Sequence, residues 1–412
     1  MTERFQPSEQ IGVGSVRISE REKQYVLQVL ESNRLSYGPF SRRLERDFAA
    51  AHDCNHAVLT NSGTSSLQIA LAALKELHGW VDGDEILCPA ATFVATANVI
   101  LQNSLEPVFV DVEADTYNMD PAEIERHVTS RSRALLVAHL YGQPADMRPI
   151  LEVAERHGLR IVEDSAETML ARYEGRSVGS FGDIACFSTY ACHIMVTGVG
   201  GITTTRDPEL AVLLRSLANH GRDEIYLSMD DDRGKSGGEL REVIEKRFRF
   251  VRMGYSYRLT EMEAALGVGQ LERAPENVAA RRRIAATLCQ GLAPWESMLR
   301  LPHPKADRDH SYMMFPILIG DGAPFGREEI TLYLEERLIE TRPMVSVLDQ
   351  PFYRARFGDE IANDYPVALD IGRAGFYIGC HPEMTDEVVT YVLETFASFL
   401  SGAQAGGQRS GR

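Results

Sequence analysis

A chain of 412 residues, 44% hydrophobic and 25% charged, has the composition of an ordinary globular protein of two or three lobes. No run of about 18 apolar residues offers a membrane span, and a formal net charge of −16 repels phosphate backbones, which speaks against nucleic acid as a partner. Six cysteines without a Cys-x-x-Cys pair read as reduced thiols, and the opening MTERFQPSEQ lacks the apolar centre of a signal peptide, so a cytoplasmic protein is expected.

The first forty residues carry a helical pattern, SEREKQYVLQVLES, and a turn at Gly38-Pro39, which together predict an N-terminal arm over residues 1–45. From about residue 55, short β-rich runs alternate with amphipathic helices. The strand candidates are AVLT, EILC, PVFVDV, RALLVAH, RIVE, DIACFST and GGITTT. Between them, SSLQIALAALKEL sets Leu67, Leu71 and Leu74 at helical spacing, and ELAVLLRSLANHG ends on Gly221. This alternation predicts an α/β layered large domain, residues 46–275, around a largely parallel sheet. LTEMEAALGVGQLER opens a helix with a Thr260-x-x-Glu263 capping box; Pro275 is expected to interrupt it, with a second long helix following. Residues 276–400, linking helix included, read as a smaller C-terminal α/β domain with strand candidate MMFPILI and helices REEITLYLEERLIE and DEVVTYVLETFASFL. The Gly/Ser-rich end, 401–412, reads as a disordered tail.

Three segments carry polar residues where strands give way to turns. Asn61-Ser62-Gly63-Thr64-Ser65 precedes a helix, and its backbone N–H groups and hydroxyls suit either a phosphate or a plain N-cap. Ile161-Val162-Glu163-Asp164-Ser165-Ala166-Glu167 ends an apolar strand in carboxylates, at the sheet edge favoured for ligands or simply at a capped turn. Phe187 to Gly201 runs from a strand through Ser188, Tyr190, Cys192 and His193 into a Gly-rich turn, where a lone histidine is either packed or catalytic. Three further patterns are set aside. Gly12-Val13-Gly14 follows no strand and reads as a loop. His381-Pro382-Glu383 lacks the PCxxC partner of a zinc deaminase, so no metal site is assigned. Met229-Asp230-Asp231-Asp232 reads as a solvated loop.

Together with CPAATFVATANVI, VAHLYGQPADM, LANHGRD, GYSYRLTEMEAALG and RPMVSVLDQPFY, in order and at matching spacing, these segments resemble the DegT/DnrJ/EryC1/StrS family of sugar aminotransferases. The resemblance covers most of the chain. It implies a pyridoxal-phosphate fold of type I, with a large αβα sandwich around a seven-stranded mixed sheet and a smaller C-terminal α/β domain. It also implies a homodimer with shared active sites. Carried over by position, Ser62, Gly63, Thr64 and Ser188 hold the cofactor phosphate, and Phe93 stacks on the pyridine ring. Asp164 pairs with the ring nitrogen, which makes the ring a better electron sink. Glu167 stands where the family commonly has Gln, and Ser256 where many relatives use Asn to reach the neighbouring subunit's phosphate.

At His193 the family has its cofactor-binding lysine. Imidazole cannot form that Schiff base, no lysine occurs between Lys75 and Lys235, and the cofactor would be held non-covalently. A smaller branch, the nucleotide-sugar 3-dehydratases, looks like this sequence because histidine replaces lysine there. The resemblance therefore implies pyridoxamine phosphate as reagent, a nucleotide-linked 4-keto-6-deoxyhexose as substrate, His193 as acid/base for loss of the C3 hydroxyl, and L-glutamate as amine donor. One type within the branch carries an iron–sulfur cluster on a Cys-x-Cys pair after the GRD segment. Here Gly221-Arg222-Asp223 is followed by Glu224, Ile225 and Tyr226, so no cluster is expected and the chain looks like the metal-free, colitose-pathway type. The alternatives are elimination on another sugar or aminoglycoside precursor, a non-catalytic homologue that binds cofactor or sugar, and an ordinary sugar aminotransferase.

Overall fold

A computed structural model of the chain describes residues 5–223 and 233–410. All seven strand candidates of the large domain lie in one sheet: β1 (His56–Thr60), β2 (Glu85–Pro89), β3 (Glu106–Val110), β4 (Ser132–Ala138), β5 (Arg160–Asp164), β6 (Ile184–Ser188) and β7 (Gly201–Thr205). Their order is β1-β7-β6-β5-β4-β2-β3. The pairs from β3 to β6 are parallel, whereas β7 is antiparallel to both β6 and β1, so the sheet is mixed. Every residue of β2, β6 and β7 is buried, as expected for strands covered on both faces. This arrangement brings the C-terminal ends of β1, β4, β5 and β6 to one edge, where loops can gather around a ligand.

The N-terminal helices α1 (Glu20–Ser32) and α2 (Pro39–Ala51) pack on a helix of 32 residues, here labelled α5 (Glu261–Leu292) after α3 (Gly63–His78) and α4 (Val94–Gln102). Buried Glu261 accepts hydrogen bonds from the Gly38, Phe40 and Ser41 N–H groups, which satisfies the start of α2 with a carboxylate from α5. Pro275 does not interrupt α5. The turns on either side are fastened by burial of Ala274 and Val278 and by Arg281, whose guanidinium donates to the carbonyls of Tyr312, Met313 and Cys380, so packing outweighs the missing N–H. Helix Pro208–Ala218 stops three residues short of Gly221, and His220 in between adopts a left-handed φ of 64°.

The smaller sheet contains β8 (Leu299–Arg300), β9 (Phe315–Ile319), β10 (Thr341–Pro343) and β11 (Gly375–Ile378), in the order β8-β9-β11-β10. Its core joins Phe315, Ile317 and Phe376 to Val392, Phe396 and Leu400 of the closing helix α6 (Asp386–Ser410), and Ile11 from the N-terminus belongs to the same cluster. Helix α6 runs on to Ser410, so residues 401–410 are helical rather than the disordered tail that their composition suggests. The packed turns before them supply the nucleus from which extra turns propagate. The acidic run Met229–Asp232 lies outside the described residues. Among the described residues no helix is long and apolar enough to cross a membrane, and no group of three or more His, Cys, Asp or Glu side chains is placed to hold a metal ion.

Candidate active site

A cavity of about 590 Å³ opens at the C-terminal edge of the large sheet. One end is made by the β1–α3 junction. Ser62 caps α3, its Oγ accepting from the Ser65 N–H at 3.0 Å, and Gly63 and Thr64 begin the helix with backbone N–H groups that have no partner within it. Residue 63 has to be glycine: a Cβ there would stand 2.7 Å from the Ser188 Cβ at the end of β6. The close approach sets the Ser188 hydroxyl beside the helix N-terminus. Three backbone or hydroxyl donors and the positive end of a helix in one concave corner suit a phosphate.

Strand alternation decides which of two adjacent carboxylates serves the cavity. Glu163 turns away, accepting from the N–H groups of Gly179, Phe181 and Gly182 and from His139 Nε2. Asp164 turns towards the cavity, with its Oδ2 accepting from Thr96 Oγ1 at 2.8 Å and its Oδ1 from the Ala166 N–H at 3.2 Å. Burial pushes its pKa up, against the pull of those two donors. Among the described residues no lysine lines the cavity, and Arg342, engaged with Glu340, is the one arginine that does. Among the described residues no Lys or Arg pairs with the buried Asp164 carboxylate, which faces the space and fits the protonated nitrogen of a pyridine ring. Phe93, the residue before α4, is 60% exposed and lines the same space, leaving an aromatic face free to stack. Phosphate corner, aromatic face and buried carboxylate together fit pyridoxal or pyridoxamine phosphate.

Glu167 and His193 complete this end. Glu167 Oε2 accepts from the Tyr141 N–H at 2.8 Å. Burial, reinforced by Asp164, pushes its pKa up to about 7 against that single donor. A carboxyl that is partly protonated near neutrality can donate as well as accept. His193 Nδ1 lies 3.1 Å from the Ser188 carbonyl, so in the neutral ring it carries the proton and leaves Nε2 basic. Burial holds the ring down to about 4, the positive charge of Arg281 acting in the same sense and the carbonyls of Ser188 and Ala166 opposing. The loop that bears His193 is tied to α5: Asn277 Nδ2 donates to the Ile194 carbonyl at 2.9 Å and the Val196 N–H donates to Gln270 Oε1 at 3.3 Å.

The structure thus brings Ser62, Gly63, Thr64, Phe93, Asp164, Glu167, Ser188 and His193 to one cavity. Ser256 is not among them. It is exposed, and its Oγ accepts from Arg258 Nη2 at 3.0 Å. Sequence reasoning missed Thr96, whose place one turn after Thr92 on a cavity-facing helix start was the available signal, and Arg342, which lies within the RPMVSV segment. It also dismissed Val13 and Gly14, which line the cavity although they belong to the N-terminal loop.

The mixed seven-stranded sheet, the small sheet beside it and the cavity at the strand ends define the fold-type I class of pyridoxal-phosphate-dependent enzymes. Residues 16–397 match the model of the DegT/DnrJ/EryC1/StrS aminotransferase family, and the chain belongs to that family. It is 33% identical over 391 residues to the GDP-perosamine synthase of Caulobacter vibrioides, covering 95% of this chain and 98% of that one. It is 34% identical to the dTDP-4-dehydro-2,6-dideoxy-D-glucose 3-dehydratase of Saccharopolyspora spinosa, covering 89% and 82%. Among solved structures, the E. coli GDP-4-keto-6-deoxy-D-mannose-3-dehydratase with bound hydrated PLP superposes with a TM-score of 0.85 at 26% identity, covering 94% of this chain and 99% of that one. The relatives thus include both aminotransferases and 3-dehydratases.

Proposed function

We propose that the protein is a pyridoxamine-phosphate-dependent 3-dehydratase acting on a nucleotide-linked 4-keto-6-deoxyhexose, with L-glutamate regenerating the cofactor. The observation that carries this reading is His193 on the cavity wall, where the resemblance implies a lysine in the family, with none of the chain's five lysines among the described residues that line the cavity. Ser62, Gly63, Thr64 and Ser188 would hold the cofactor phosphate, Phe93 its ring face, Asp164 its ring nitrogen and Glu167 its ring oxygen. Bound there, the cofactor supplies an electron sink for the carbon beside its amine. Asp164 strengthens the sink by keeping a negative charge against the ring nitrogen. His193, neutral near pH 7, would take the proton from that carbon on Nε2 and give it to the departing C3 hydroxyl, which would leave as water. The amine nitrogen carried over from the cofactor would leave the dehydrated sugar as ammonia on hydrolysis, giving a 3-deoxy-4-keto sugar, and the aldehyde form of the cofactor left behind, oxidised by two electrons, would be returned to the amine by L-glutamate.

The metal-free route is chosen because Glu224, Ile225 and Tyr226, rather than a Cys-x-Cys pair, follow the GRD segment. The proposed assembly is a cytoplasmic homodimer in which Ser256, exposed on each protomer, reaches the cofactor phosphate of the other. A second reading, sugar amination, draws support from the GDP-perosamine synthase relatives. It needs an amine in the cavity to expel the product, and the lining residues offer none. Incubation with pyridoxal phosphate and L-glutamate, followed by borohydride, separates the readings. The dehydratase reading expects 2-oxoglutarate and pyridoxamine phosphate with no adduct fixed to the chain. An adduct on a lysine returns the protein to the aminotransferases, and cofactor binding without conversion points to a non-catalytic homologue.

A further inference from the structure

His193 stands on a loop, residues 189–200, that carries no helix or strand of its own and is closed at its neck by the Thr197 N–H donating to the Thr189 carbonyl at 2.9 Å. Beyond the neck, two amide side chains of α5 grip the tip. Gln270 Oε1 accepts from the Val196 N–H at 3.3 Å, and Asn277 Nδ2 donates to the Ile194 carbonyl at 2.9 Å, one residue from His193. The two amides are seven residues apart, two turns along one face of the helix. Each amide could turn end for end and present the wrong atom to the loop, and a charged group at its far side prevents this. The buried carboxylate of Glu22, paired with Arg273, accepts from Gln270 Nε2 at 2.6 Å. Arg281, which can only donate, sends its Nε to Asn277 Oδ1 at 2.9 Å.

Arg281 carries the contact on into the small lobe. Its Nη1 donates to the carbonyls of Tyr312, Met313 and Cys380 at 3.1, 2.7 and 2.7 Å, and Met313 is itself on the cavity wall. A guanidinium is planar, so the directions of its Nε and Nη1 are fixed relative to each other, and one rigid group sets both Asn277 and this segment of the wall. On the reading of His193 as the acid/base of the site, we propose that Asn277 is the positioning residue for His193: oriented by Arg281, it fixes the loop tip so that the imidazole meets the bound cofactor, and it ties that placement to the small-lobe wall. Asn277 does not line the cavity, so it acts through His193. A misplacement of about 1 Å at a reacting group can cost on the order of 100-fold in rate, so an anchor lost one residue away is felt in kcat rather than in cofactor affinity.

The test uses the full chain and a half-reaction that needs no sugar, the conversion of bound pyridoxal phosphate to pyridoxamine phosphate by L-glutamate, followed by absorbance. Asn277→Asp keeps the size of the side chain and its bond to Arg281 but turns an oxygen towards the Ile194 carbonyl. It is expected to slow conversion about tenfold at saturating L-glutamate, with the KM for L-glutamate and the cofactor Kd within about twofold of wild type. In a His193→Asn background the same substitution is expected to change the rate by less than about twofold, because the group it positions is gone. Asn277→Ala, which adds no charge, repeats the comparison and replaces the Asp variant if that one does not fold. Rates within about twofold of wild type, a loss carried by the cofactor Kd, or an equal loss with and without His193 each overturn the positioning role while leaving the reading of His193 intact. If His193→Asn alone converts the cofactor as fast as wild type, or the wild type converts none, the acid/base reading fails and the proposal falls with it.

Discussion

Thr96→Val removes one hydroxyl from the site and nothing else. The side chains are nearly isosteric, so no cavity forms in this fully buried position. What is lost is the 2.8 Å hydrogen bond to Asp164 Oδ2 together with the 2.9 Å hydroxyl contact to Thr92 Oγ1, leaving the carboxylate with the Ala166 N–H at 3.2 Å. A hydrogen bond to a charged group contributes about 1.5–3 kcal/mol, so the ionised form of Asp164 becomes less stable by about 2 kcal/mol, or roughly 1.5 pKa units. Burial already pushes this pKa up, and the substitution moves it further the same way. On the proposed function it is the ionised form that pairs with the ring nitrogen. Pyridoxamine phosphate should consequently bind more weakly on the acid side, and the pH at which affinity falls away on acidification should rise by roughly 1.5 units. Titration of the apoprotein by fluorescence across a pH series measures both effects, and Thr96→Ser, which keeps the hydroxyl, should restore them. If Thr96→Val binds within about twofold of wild type with an unshifted pH profile, Thr96 does not support Asp164 as argued.

His193→Asn should leave pyridoxamine phosphate binding nearly intact and reduce elimination by at least about 100-fold, because only the proton carrier is lost; unchanged turnover in a stopped assay would remove His193 from the chemistry. Acid should unfold the protein early. Burial holds His52, His193 and His381 down to about 4 and His310 to about 3. Their folded pKa values lie below the unfolded value near 6.5, so this stability is present above that pH and is lost as the pH falls from about 6.5 towards 4, each site favouring the unfolded chain by about 3 kcal/mol at the lower end. Urea midpoints measured at intervals from pH 7.5 to 4.5 should fall steeply below pH 6.5, and a flat series would mean that these rings are solvated. The aldehyde-trapping behaviour should reverse in His193→Lys, which is expected to gain a borohydride-fixed adduct at residue 193 by peptide mass; no adduct would place that side chain out of reach of the cofactor.

The strands were legible because buried parallel strands read as short apolar runs between turns, with PVFVDV, RALLVAH and DIACFST as clear cases. Local signals failed where distant contacts decide. Pro275 reads as a helix breaker, and the burial of Ala274 and Val278 together with the carbonyls that Arg281 reaches in the small lobe explain why α5 continues. The motif residues of the cavity were visible through the family resemblance, since they sit at strand ends in fixed order. The choice of Asp164 over Glu163 became physical only with the structure, because strand alternation sends one carboxylate to the cavity and the other into a cradle of N–H groups. Val13 and Gly14 carried no local signal. Their place on the cavity wall depends on the path of a loop pinned to Glu340 and His381, more than 300 residues further along the chain.

The most direct measurement supplies the purified protein with pyridoxal phosphate, L-glutamate and GDP-4-keto-6-deoxymannose or its dTDP-linked counterparts, and follows ammonia and the sugar product by mass. A histidine in place of the cofactor lysine predicts ammonia released in step with a sugar nucleotide lighter by one oxygen. A 4-amino sugar formed without ammonia would contradict the account and identify an aminotransferase that works without a lysine.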